Sequence, residues 1–544
     1  RSGNGGKVRG FFQGGSTRVL DELGARIPEG VRALLAVPGL GPRTLGRLYR
    51  ELGVTSAADL RRVLESGAAA RLPGFGERKA RQLLEALEQV ERQGDRIPLG
   101  YALPVAEALA AELEKLPGVE RVAVAGDLRR GRETVAGVEL VAAAEDAEGV
   151  ADAVAALPPV EEVLARDPAK VSVRVEGGLR VELRIVPPDA FVPALHHATG
   201  SAAHIARLRQ RARQLGLEVD ERGIYRRSAD GGAEEFLPVP DEAALYRHLG
   251  LGYIPPELRE DRGEIEAAER GRLPRLVETA DLRGDLHVHS RWSDGAASIR
   301  EMAEAARARG YRYLAICDHS RSLRVAHGLE IEDLRAQWRE IEELNRHYAE
   351  AGIPFRILRG AEVDILKDGG LDYPDEILAE LDIVVASVHS HLRLDRAAMT
   401  ERLLAAMENP HVDVIGHPTG RRLGIRDAYE VDLDAVIEAA SRSGTVLEIN
   451  ASPERLDLGE EAARKAAERG VMLCIDTDAH APGQLAQVVL GVTVARRAWL
   501  EPAHILNALD LPDLEAWLRL PKGERARRGP GSVGKSGDSP PPGR

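Results

Sequence analysis

Histidine and carboxylate residues recur in the C-terminal half of the sequence at spacings that suit metal binding. His287 and His289 lie two residues apart in GDLHVH, and Asp478 and His480 repeat that spacing in MLCIDTDAH. In a strand, residues two apart point to the same face, so each pair offers two ligands in one direction. A cluster of metal ions held in this way lowers the pKa of bound water and produces hydroxide near neutral pH. These residues therefore predict a metal site that supports hydrolysis.

Short apolar segments precede these residues, and most of the segments are separated by a helical pattern. The seven segments end, in chain order, with His287 and His289, Asp318 and His319, Glu362, His389, His417, Glu448 and Asn450, and Asp478 and His480. Alternating strand and helix patterns are typical of βα units, whose strand ends converge on one face of a barrel. We expect a distorted (βα)7 barrel over residues 282–520.

Composition places broad limits on the protein. A chain of 544 residues is too long for one core, so several domains are expected. The net charge of −13 argues weakly against nucleic-acid binding, because DNA contact can be confined to local patches. The 4% aromatic content argues against extensive base stacking. No apolar stretch reaches about 18 residues and no signal-peptide pattern opens the chain, so we expect a cytoplasmic protein. Cys317 and Cys474 fall in predicted buried strands, and no disulfide is expected.

Residues 18–97 have a helical pattern that contains two similar turns, in VPGLGPRTLGRLYRELG and in LPGFGERKARQLLEALE. Each turn reads apolar-Pro-Gly-apolar-Gly and is followed by a helix with basic residues. Such turns expose backbone N–H groups that bind phosphate without reading base sequence. The pair resembles tandem helix-hairpin-helix motifs, and the alternative is two ordinary helix corners. The residues expected to contact DNA are Gly39, Gly41, Arg43, Gly74, Gly76 and Lys79.

A further motif lies at residues 125–141, which read AGDLRRGRETVAGVELV. It resembles the palm of bacterial family X DNA polymerases, and the resemblance extends over residues 20–520. The family's N-terminal lyase domain is largely missing from this sequence, so no lyase activity is expected. The resemblance and the chain composition together divide the sequence into a disordered start at 1–17, the helix-hairpin-helix region at 18–97, a nucleotidyltransferase-like α+β palm at 98–190, a thumb at 191–259, a linker at 260–281, a PHP (polymerase and histidinol phosphatase) domain at 282–520 and a disordered tail at 521–544.

The palm positions that would carry polymerase chemistry have changed. Nucleotidyl transfer needs two metal ions held by carboxylates on adjacent strands. The family's three aspartates correspond here to Gly137, Glu139 and Glu182. Glycine supplies no ligand, and each glutamate is one methylene longer than aspartate. We predict a palm and thumb that hold DNA without extending it, and no Mg or Mn pair in the palm. The alternative is a weak, Mn-dependent polymerase that uses the two glutamates.

Neighbouring palm positions have changed as well. Asp127 follows Gly126 where the family has a Gly-Ser that binds the triphosphate, so a negative charge stands at that point. His197 begins a His-Ala pair where the family has Tyr-Phe. Arg129 and Arg130 are retained, and we expect both of them to contact DNA.

The barrel segment matches the ligand pattern of the PHP domain at nine positions. The resemblance implies three metal ions, the first held by His287, His289, Glu362 and Asp478, the second by Glu362, His389 and His417, and the third by Asp294, His319 and His480. Nitrogen and oxygen ligands without thiolate suit Zn, Mn or Fe. Three acids that precede or accompany the ligands in sequence are expected to orient them rather than bind metal: Asp318, Asp364 and Glu448.

Five residues are assigned to catalysis at the predicted centre. His287, Glu362 and Asp478 are expected to be catalytic because the resemblance places them around the metal ions. Arg393 and Arg421 lie in loops near the ligands and are expected to clamp phosphate. The alternative for both arginines is a solvated loop position.

Together the motifs predict a DNA-binding, metal-dependent phosphodiesterase of DNA repair. We expect 3′→5′ exonuclease or 3′-end processing action at the PHP domain, on gapped, nicked or 3′-ended duplex DNA. One alternative is a weakly active gap-filling polymerase with a proofreading PHP domain. Another is a small-molecule phosphatase of the histidinol-phosphatase type, and a third is a DNA scaffold without activity. The nine filled ligand positions argue against the scaffold, because buried histidines and carboxylates without metal are costly.

Overall fold

The computed structural model describes residues 42–69, 96–175, 178–227 and 234–528, together with residues 34, 40, 72, 75, 76, 79–84 and 87. The chain divides into two compact units, Arg1–Arg96 and Ile97–Arg544. Within the described ranges, no helix is both long and apolar enough to cross a bilayer.

The described part of the first unit is helical. It includes helices Pro42–Leu52 and Ala57–Glu65. The Ser56 side chain accepts a hydrogen bond from the Asp59 N–H, which satisfies one of the free donors at the start of the second helix. The apolar side chains of these elements pack on one another and include Leu48, Leu60, Leu64, Phe75 and Leu83.

A five-stranded sheet opens the second unit, with the strand order β2-β4-β7-β6-β5. Its strands are β2 (Val119–Val124), β4 (Val138–Ala144), β5 (Val160–Asp167), β6 (Lys170–Val175) and β7 (Arg180–Val186), and a separate short pair joins β1 (Ile97–Pro98) to β3 (Thr134–Val135). The accompanying helices are Leu99–Leu113, Gly126–Arg129 and Ala147–Ala155. Strands β4 and β7 run parallel and adjacent, so the palm positions predicted from the sequence lie side by side.

A smaller lobe follows the sheet. It contains helices Phe191–Thr199, Ala202–Gln214, Glu242–His248 and Glu264–Glu269, and strands β8 (Glu218–Asp220), β9 (Gly223–Arg227) and β10 (Glu234–Phe236). The prediction that residues 260–281 form a linker is wrong for its first half. Ile265 and Ala268 are buried in the same apolar cluster as Leu208 and Leu245, and Glu264 is fully buried. This segment therefore completes the lobe.

Seven parallel strands form the barrel in the order β11 to β17. They are β11 (Gly284–Val288), β12 (Tyr313–Ile316), β13 (Arg356–Asp364), β14 (Ile383–Ser387), β15 (Val414–Ile415), β16 (Val446–Asn450) and β17 (Leu473–Asp476). A parallel bridge between Val288 and Ala479 brings the first strand to the last. Most strand residues are buried, as expected for parallel strands that are covered by helices outside. The predicted (βα)7 barrel is confirmed.

Helices surround this barrel and connect its strands. They are Ile299–Ala308, Ile331–Glu350, Asp375–Leu378, Arg396–Glu408, Leu433–Ser443, Glu460–Glu468, Val488–Arg497 and Leu511–Leu518. Short 3-10 turns lie at Pro188–Ala190, Pro256–Leu258, Thr279–Asp281, Arg324–Ala326, Pro482–Gln487, Pro502–His504 and Leu506–Ala508. Ser298 and Glu301 form a capping box that fixes the start of the first barrel helix.

The C-terminal tail is ordered further than the sequence predicts. Disorder was expected from residue 521, but Lys522–Arg528 is a helix packed on the barrel. The buried Arg525 guanidinium lies 2.6 Å from the Asp413 carboxylate, and Lys522 donates to the Met407 carbonyl. The prediction is therefore wrong for these residues, and residues 529–544 lie outside the described ranges.

Candidate metal centre

The ends of the seven barrel strands bring their histidines and carboxylates to one face. Three overlapping groups have ligand atoms that all lie within 4.8 Å of one another: His289, Asp294, His319 and His480; His287, His289 and Glu362; and His319, Glu362 and His389. Among the described residues, every group that can hold a metal ion belongs to this face. The structure thus brings together the residues that the sequence assigned to three ions.

Glu362 lies at the middle of the cluster. Its Oε1 atom lies 2.9 Å from His417 Nε2 and 3.1 Å from His389 Nε2. Its Oε2 atom lies 2.8 Å from His319 Nδ1 and 3.5 Å from His287 Nε2. The two oxygens of one buried carboxylate therefore face different histidines, which is the arrangement that a bridging ligand requires.

Two further carboxylates lie beside the remaining histidines. Asp478 Oδ1 lies 3.1 Å from His289 Nε2. Asp294 Oδ1 lies 3.2 Å from His480 Nε2 and 3.6 Å from His319 Nε2. Asp478 has a backbone φ of 54°, a conformation that non-glycine residues adopt at some energetic cost and that concentrates at functional sites.

The donor atoms of the cluster fit bound metal ions. Six buried atoms make no hydrogen bond of suitable geometry with another described residue, although carboxylate oxygens or imidazole nitrogens lie near several of them: His287 Nε2, His289 Nδ1, His289 Nε2, His319 Nδ1, His417 Nδ1 and Glu362 Oε2. Burying polar atoms without partners costs free energy, so a protein rarely keeps several of them together. Metal ions would satisfy most of these atoms, and imidazole with carboxylate suits Zn, Mn or Fe.

A layer of polar groups around the cluster orients the ligands. Glu448 lies 2.7 Å from His287 Nδ1, and it also accepts the backbone N–H of His417. Asp364 lies 2.5 Å from His389 Nδ1. A carboxylate on one imidazole nitrogen fixes the proton there and leaves the other nitrogen free for metal. Both acids thus contact ligand histidines as expected. Asp318 instead accepts hydrogen bonds from serine hydroxyls.

The charges at the centre keep its carboxylates ionised. Burial alone would raise the pKa of Glu362, but His389, His287 and His319 outweigh it and hold that pKa well below its usual range. Burial likewise opposes ionisation of Asp478, whose pKa is held low by His287 and His289. Ionised carboxylates are the form that binds metal.

The arginines near the cluster differ from the sequence expectation. Arg393 is exposed and has no hydrogen bond or ion pair with another described residue. Arg421 is engaged by the palm: its Nη2 lies 2.7 Å from Glu133, and its Nε donates to the Arg455 carbonyl. The assignment of Arg421 as a phosphate clamp is therefore corrected to a contact between the palm and the barrel.

A different arginine lies against the ligands. Arg455 Nε lies 3.5 Å from Asp478 Oδ2, and its buried Nη1 has no hydrogen-bond partner within the described residues. Arg455 is not predictable from the sequence motifs, because it lies in a loop five residues after Asn450, away from any metal-ligand motif. Its position shortly after the end of a barrel strand was the one feature of the sequence that could have indicated a place near the metal centre.

The palm positions predicted from the sequence differ in their contacts. Glu139 and Glu182 are direct neighbours in the parallel β4–β7 register. Lys170 Nζ lies 2.7 Å from Glu182 and neutralises it. A Cβ atom at Gly137 would lie 2.8 Å from the Arg180 carbonyl oxygen. An aspartate at position 137 therefore does not fit without movement of the backbone.

Arg129 and Arg130 are occupied by the protein itself. Arg129 Nη2 lies 2.7 Å from Glu242. Arg130 is 8% exposed, and its Nε lies 3.1 Å from Glu260 while its Nη2 lies 2.5 Å from Asp127. Carboxylates neutralise both guanidinium groups, so the prediction that they contact DNA is wrong in this structure.

The helix-hairpin-helix residues are described only in part. Gly39, Gly41 and Gly74 lie outside the described residues, as does the side chain of Arg43. Gly76 is exposed and has a φ of 54°, so the turn there needs glycine. Lys79 Nζ lies 5.3 Å from the centre of the Phe75 ring. Contact of these residues with DNA stays a prediction.

The fold and the site define a class of protein in which a palm-like sheet with a second lobe is joined to a metal-binding (βα)7 barrel. Three family profiles match the sequence: a SAM-like helix-hairpin-helix tandem at 31–89, the DNA polymerase beta thumb at 194–260 and the PHP domain at 285–452. Together with a relative that is 42% identical over 94% of this chain, these matches show that the chain belongs to the bacterial family X DNA polymerases that carry a C-terminal PHP domain.

Relatives cover the chain to different extents. The chain is 42% identical over 514 residues to the DNA polymerase/3′-5′ exonuclease PolX of Bacillus subtilis (strain 168), covering 94% of this chain and 88% of that protein. It is 30% identical over 250 residues to a probable phosphatase of Thermoanaerobacter sp. (strain X514), covering 44% of this chain and 95% of that protein.

Proposed function

We propose that the protein is a DNA-binding, metal-dependent phosphodiesterase that trims DNA 3′ ends at the barrel and does not extend them at the palm. The observation that carries the proposal is the cluster of buried histidines around Glu362 at the strand ends. The relative from Bacillus subtilis, which is named a DNA polymerase and a 3′-5′ exonuclease, supports the choice of substrate.

Three ions are proposed at the barrel face. The ligands are His287, His289, Glu362 and Asp478 for the first ion, Glu362, His389 and His417 for the second, and Asp294, His319 and His480 for the third. When bound, such ions supply hydroxide from water and neutralise charge on the phosphate that is attacked. His287, Glu362 and Asp478 are thus the proposed catalytic residues of the protein.

The protein's own groups prepare this chemistry. Glu448 holds a proton on His287 Nδ1, so that Nε2 faces the cluster, and Asp364 does the same for His389. Arg455 has a buried guanidinium nitrogen with no partner in the described part of the chain. A guanidinium binds phosphate oxygens well, so we assign to Arg455 the role of binding the scissile phosphate. The exposed Arg393 is proposed to contact the DNA strand beyond it.

The palm is proposed to be inactive as a polymerase. The Lys170–Glu182 ion pair and the close approach of Gly137 to Arg180 support this view, because a metal pair needs several free carboxylates. The weak polymerase that uses Glu139 and Glu182 is the competing possibility. Desolvation and the nearby Glu182 and Asp127 raise the pKa of Glu139, which disfavours the ionised form that metal binding needs.

A primer-trimming experiment tests both parts. A 5′-labelled primer on a longer template is incubated with Mn²⁺, with and without dNTPs, using wild type and His287→Ala. Wild type should shorten the primer in both conditions, and His287→Ala should leave it intact. Extension by wild type would overturn the inactive palm, and shortening by His287→Ala would overturn the barrel assignment.

A small-molecule phosphatase is the second candidate function. It is favoured by the relative named a probable phosphatase, because this chain covers 95% of that protein. Hydrolysis of p-nitrophenyl phosphate is measured beside the DNA assay. Rapid hydrolysis of this phosphomonoester by a protein that leaves the DNA primer intact would favour the phosphatase.

A further inference from the structure

The loop of residues 452–458, which follows strand β16, touches both the palm and the metal centre. We call it the arginine loop because it carries Arg455, whose Nε lies 3.5 Å from Asp478 Oδ2. The Ser452 N–H donates to Asn450 Oδ1, and Asn450 Nδ2 donates to Asp478 Oδ2 at 3.2 Å. A shift of this loop would therefore move Arg455 and release one partner of the ligand Asp478.

The barrel side of the arginine loop is held by backbone hydrogen bonds. The Asn450 and Asp457 backbones exchange two of them, and the Leu458 N–H donates to the Glu448 carbonyl at 2.9 Å. The Asp457 carboxylate accepts the Thr419 N–H at 3.0 Å. These bonds fix the C-terminal end of the loop. Pro453 lies near its other end, which we call the outer part, and proline has no backbone N–H that could form such a bond.

The palm holds that outer part at two points. A Cβ atom at Gly100 would lie 2.6 Å from Pro453 Cβ, so the palm helix Leu99–Leu113 reaches the loop at a glycine. The hydroxyl of Tyr101 donates to Glu454 at 3.1 Å. Both contacts come from a domain whose polymerase residues have changed.

A third palm contact reaches the loop backbone through the barrel. Glu133 lies 2.7 Å from Arg421 Nη2. Arg421 in turn donates to the carbonyl oxygens of Arg455 and Leu456. The side chains of Glu133 and Arg421 are 40% and 19% exposed, so the pair is only partly screened by water. Glu133 thus holds Arg421, which fixes the backbone immediately after the Arg455 Cα.

We propose that the palm is a positioning element of the hydrolytic centre, in which Glu133 and Arg421 seat the arginine loop and so fix Arg455 against the reacting phosphate. This inference rests on the proposed hydrolytic function. It would give the palm a role that does not depend on polymerase chemistry. Glu133 and Arg421 are positioning residues, because both act on the centre through Arg455.

Kinetics of palm variants provide the first test. Glu133→Ala and Arg421→Ala are each compared with wild type in the Mn²⁺-dependent primer assay. We expect kcat to fall about tenfold or more with KM changed less than about twofold, because misplacing one catalytic contact costs about that much. The double variant should lose no more than the worse single variant, and Glu133→Asp should restore most of the rate.

A matched control is Arg132→Ala. Arg132 belongs to the same palm turn and contacts the barrel at Glu460, 3.4 Å away, and among the described residues it makes no hydrogen bond or ion pair with the arginine loop. We expect its kcat to stay within about twofold of wild type, as is usual for exposed ion pairs. An equal fall in Arg132→Ala and Glu133→Ala would overturn the proposal, because it would mean that any palm contact has the same effect.

Hydrogen exchange tests the seating of the loop without using activity. Peptides that cover 452–458 are followed by mass spectrometry in wild type, Glu133→Ala and Arg132→Ala. Exchange there should be about fivefold faster or more in Glu133→Ala only, with bound Mn²⁺ unchanged. Unchanged exchange would overturn the proposal. If wild type cleaved no DNA, the proposed function would fail, and exchange together with Mn²⁺ content would still decide whether the palm seats the loop.

Discussion

The Nδ1 atom of His287 lies 2.7 Å from the Oε1 atom of Glu448, and both side chains are buried at the metal centre. Burial opposes a charge on His287, yet Glu448, Glu362 and Asp478 raise its pKa well above the usual value. The same carboxylate accepts the backbone N–H of His417 at 2.5 Å. One carboxylate thus contacts two of the predicted ligand residues.

Glu448→Gln should weaken metal binding without unfolding the barrel. The amide keeps the size of the side chain but loses its charge, and such changes around metal ligands cost about 10–100-fold in affinity. Mn²⁺ affinity is measured by calorimetry. The exposed Glu332→Gln is the control and should bind like wild type. Equal affinity in Glu448→Gln and the control would contradict the orienting role.

His287→Ala and Asp478→Ala should abolish hydrolysis while leaving DNA binding nearly intact. Both residues belong to the cluster, whereas the predicted DNA contacts lie in the helix-hairpin-helix region. Primer shortening and gel mobility shift are measured on the same preparations. A variant that cleaves normally would refute the site, and a variant that loses DNA binding would show that the barrel itself holds the DNA.

Gly137→Ala should destabilise the palm by about 1–3 kcal/mol, the usual cost of forcing an extra carbon into a packed site. The added Cβ would lie 2.8 Å from the Arg180 carbonyl oxygen. Gly483→Ala is the matched control, since no atom lies within 4 Å of a Cβ at that position. Thermal unfolding of both variants checks the difference. If Gly137→Ala were as stable as the control, position 137 would be open to an aspartate.

Glu242→Gln should remove an acid-sensitive contribution to stability. Burial would raise the pKa of Glu242, but Arg259 and Arg129 hold it well below its usual range. A carboxylate with a lowered pKa stabilises the fold above its unfolded pKa of about 4.3 and loses that effect as the pH falls toward the folded pKa. At pH 7 the loss should be about 3 kcal/mol, since Arg259 is fully buried.

The measurement compares unfolding of metal-free wild type and Glu242→Gln between pH 7 and pH 3. The stability difference should shrink as the pH falls below about 4.3. The control is Glu235→Gln, whose carboxylate is 71% exposed and lies 4.0 Å from Arg226. A difference that stays constant over this range would show that Glu242 acts through packing alone.

The barrel was the part of the fold that the sequence predicted best. Its strands are short, apolar and regularly spaced. Each has a histidine or a carboxylate at or near its end, and a series of such residues is typical of a metal site. Arg455 could not be found in this way, because its role depends on contact with Asp478, 23 positions along the chain (478 − 455). The positive charge of two palm residues also led to a wrong prediction. Arg129 and Arg130 were expected to meet phosphate, but Glu242 and Glu260, more than 100 residues away, pair with them.

The first half of residues 260–281 and residues 521–528 were predicted wrongly for a related reason. Both segments are rich in charge, which predicts exposure when the sequence is considered alone. In the structure, Glu264 meets the buried His204 at 2.7 Å and Arg525 meets Asp413 at 2.6 Å. Partners this distant in sequence are supplied only by the folded chain.

The barrel closes where its first strand meets its last. The Asp478 N–H donates to the His287 carbonyl, and the His289 N–H donates to the Ala479 carbonyl. The ligands at these two positions are separated by 191 positions of chain (478 − 287). During synthesis on the ribosome, the centre can be completed only after His480 has emerged. Occupation of all three proposed sites would therefore not precede closure of the newly made barrel.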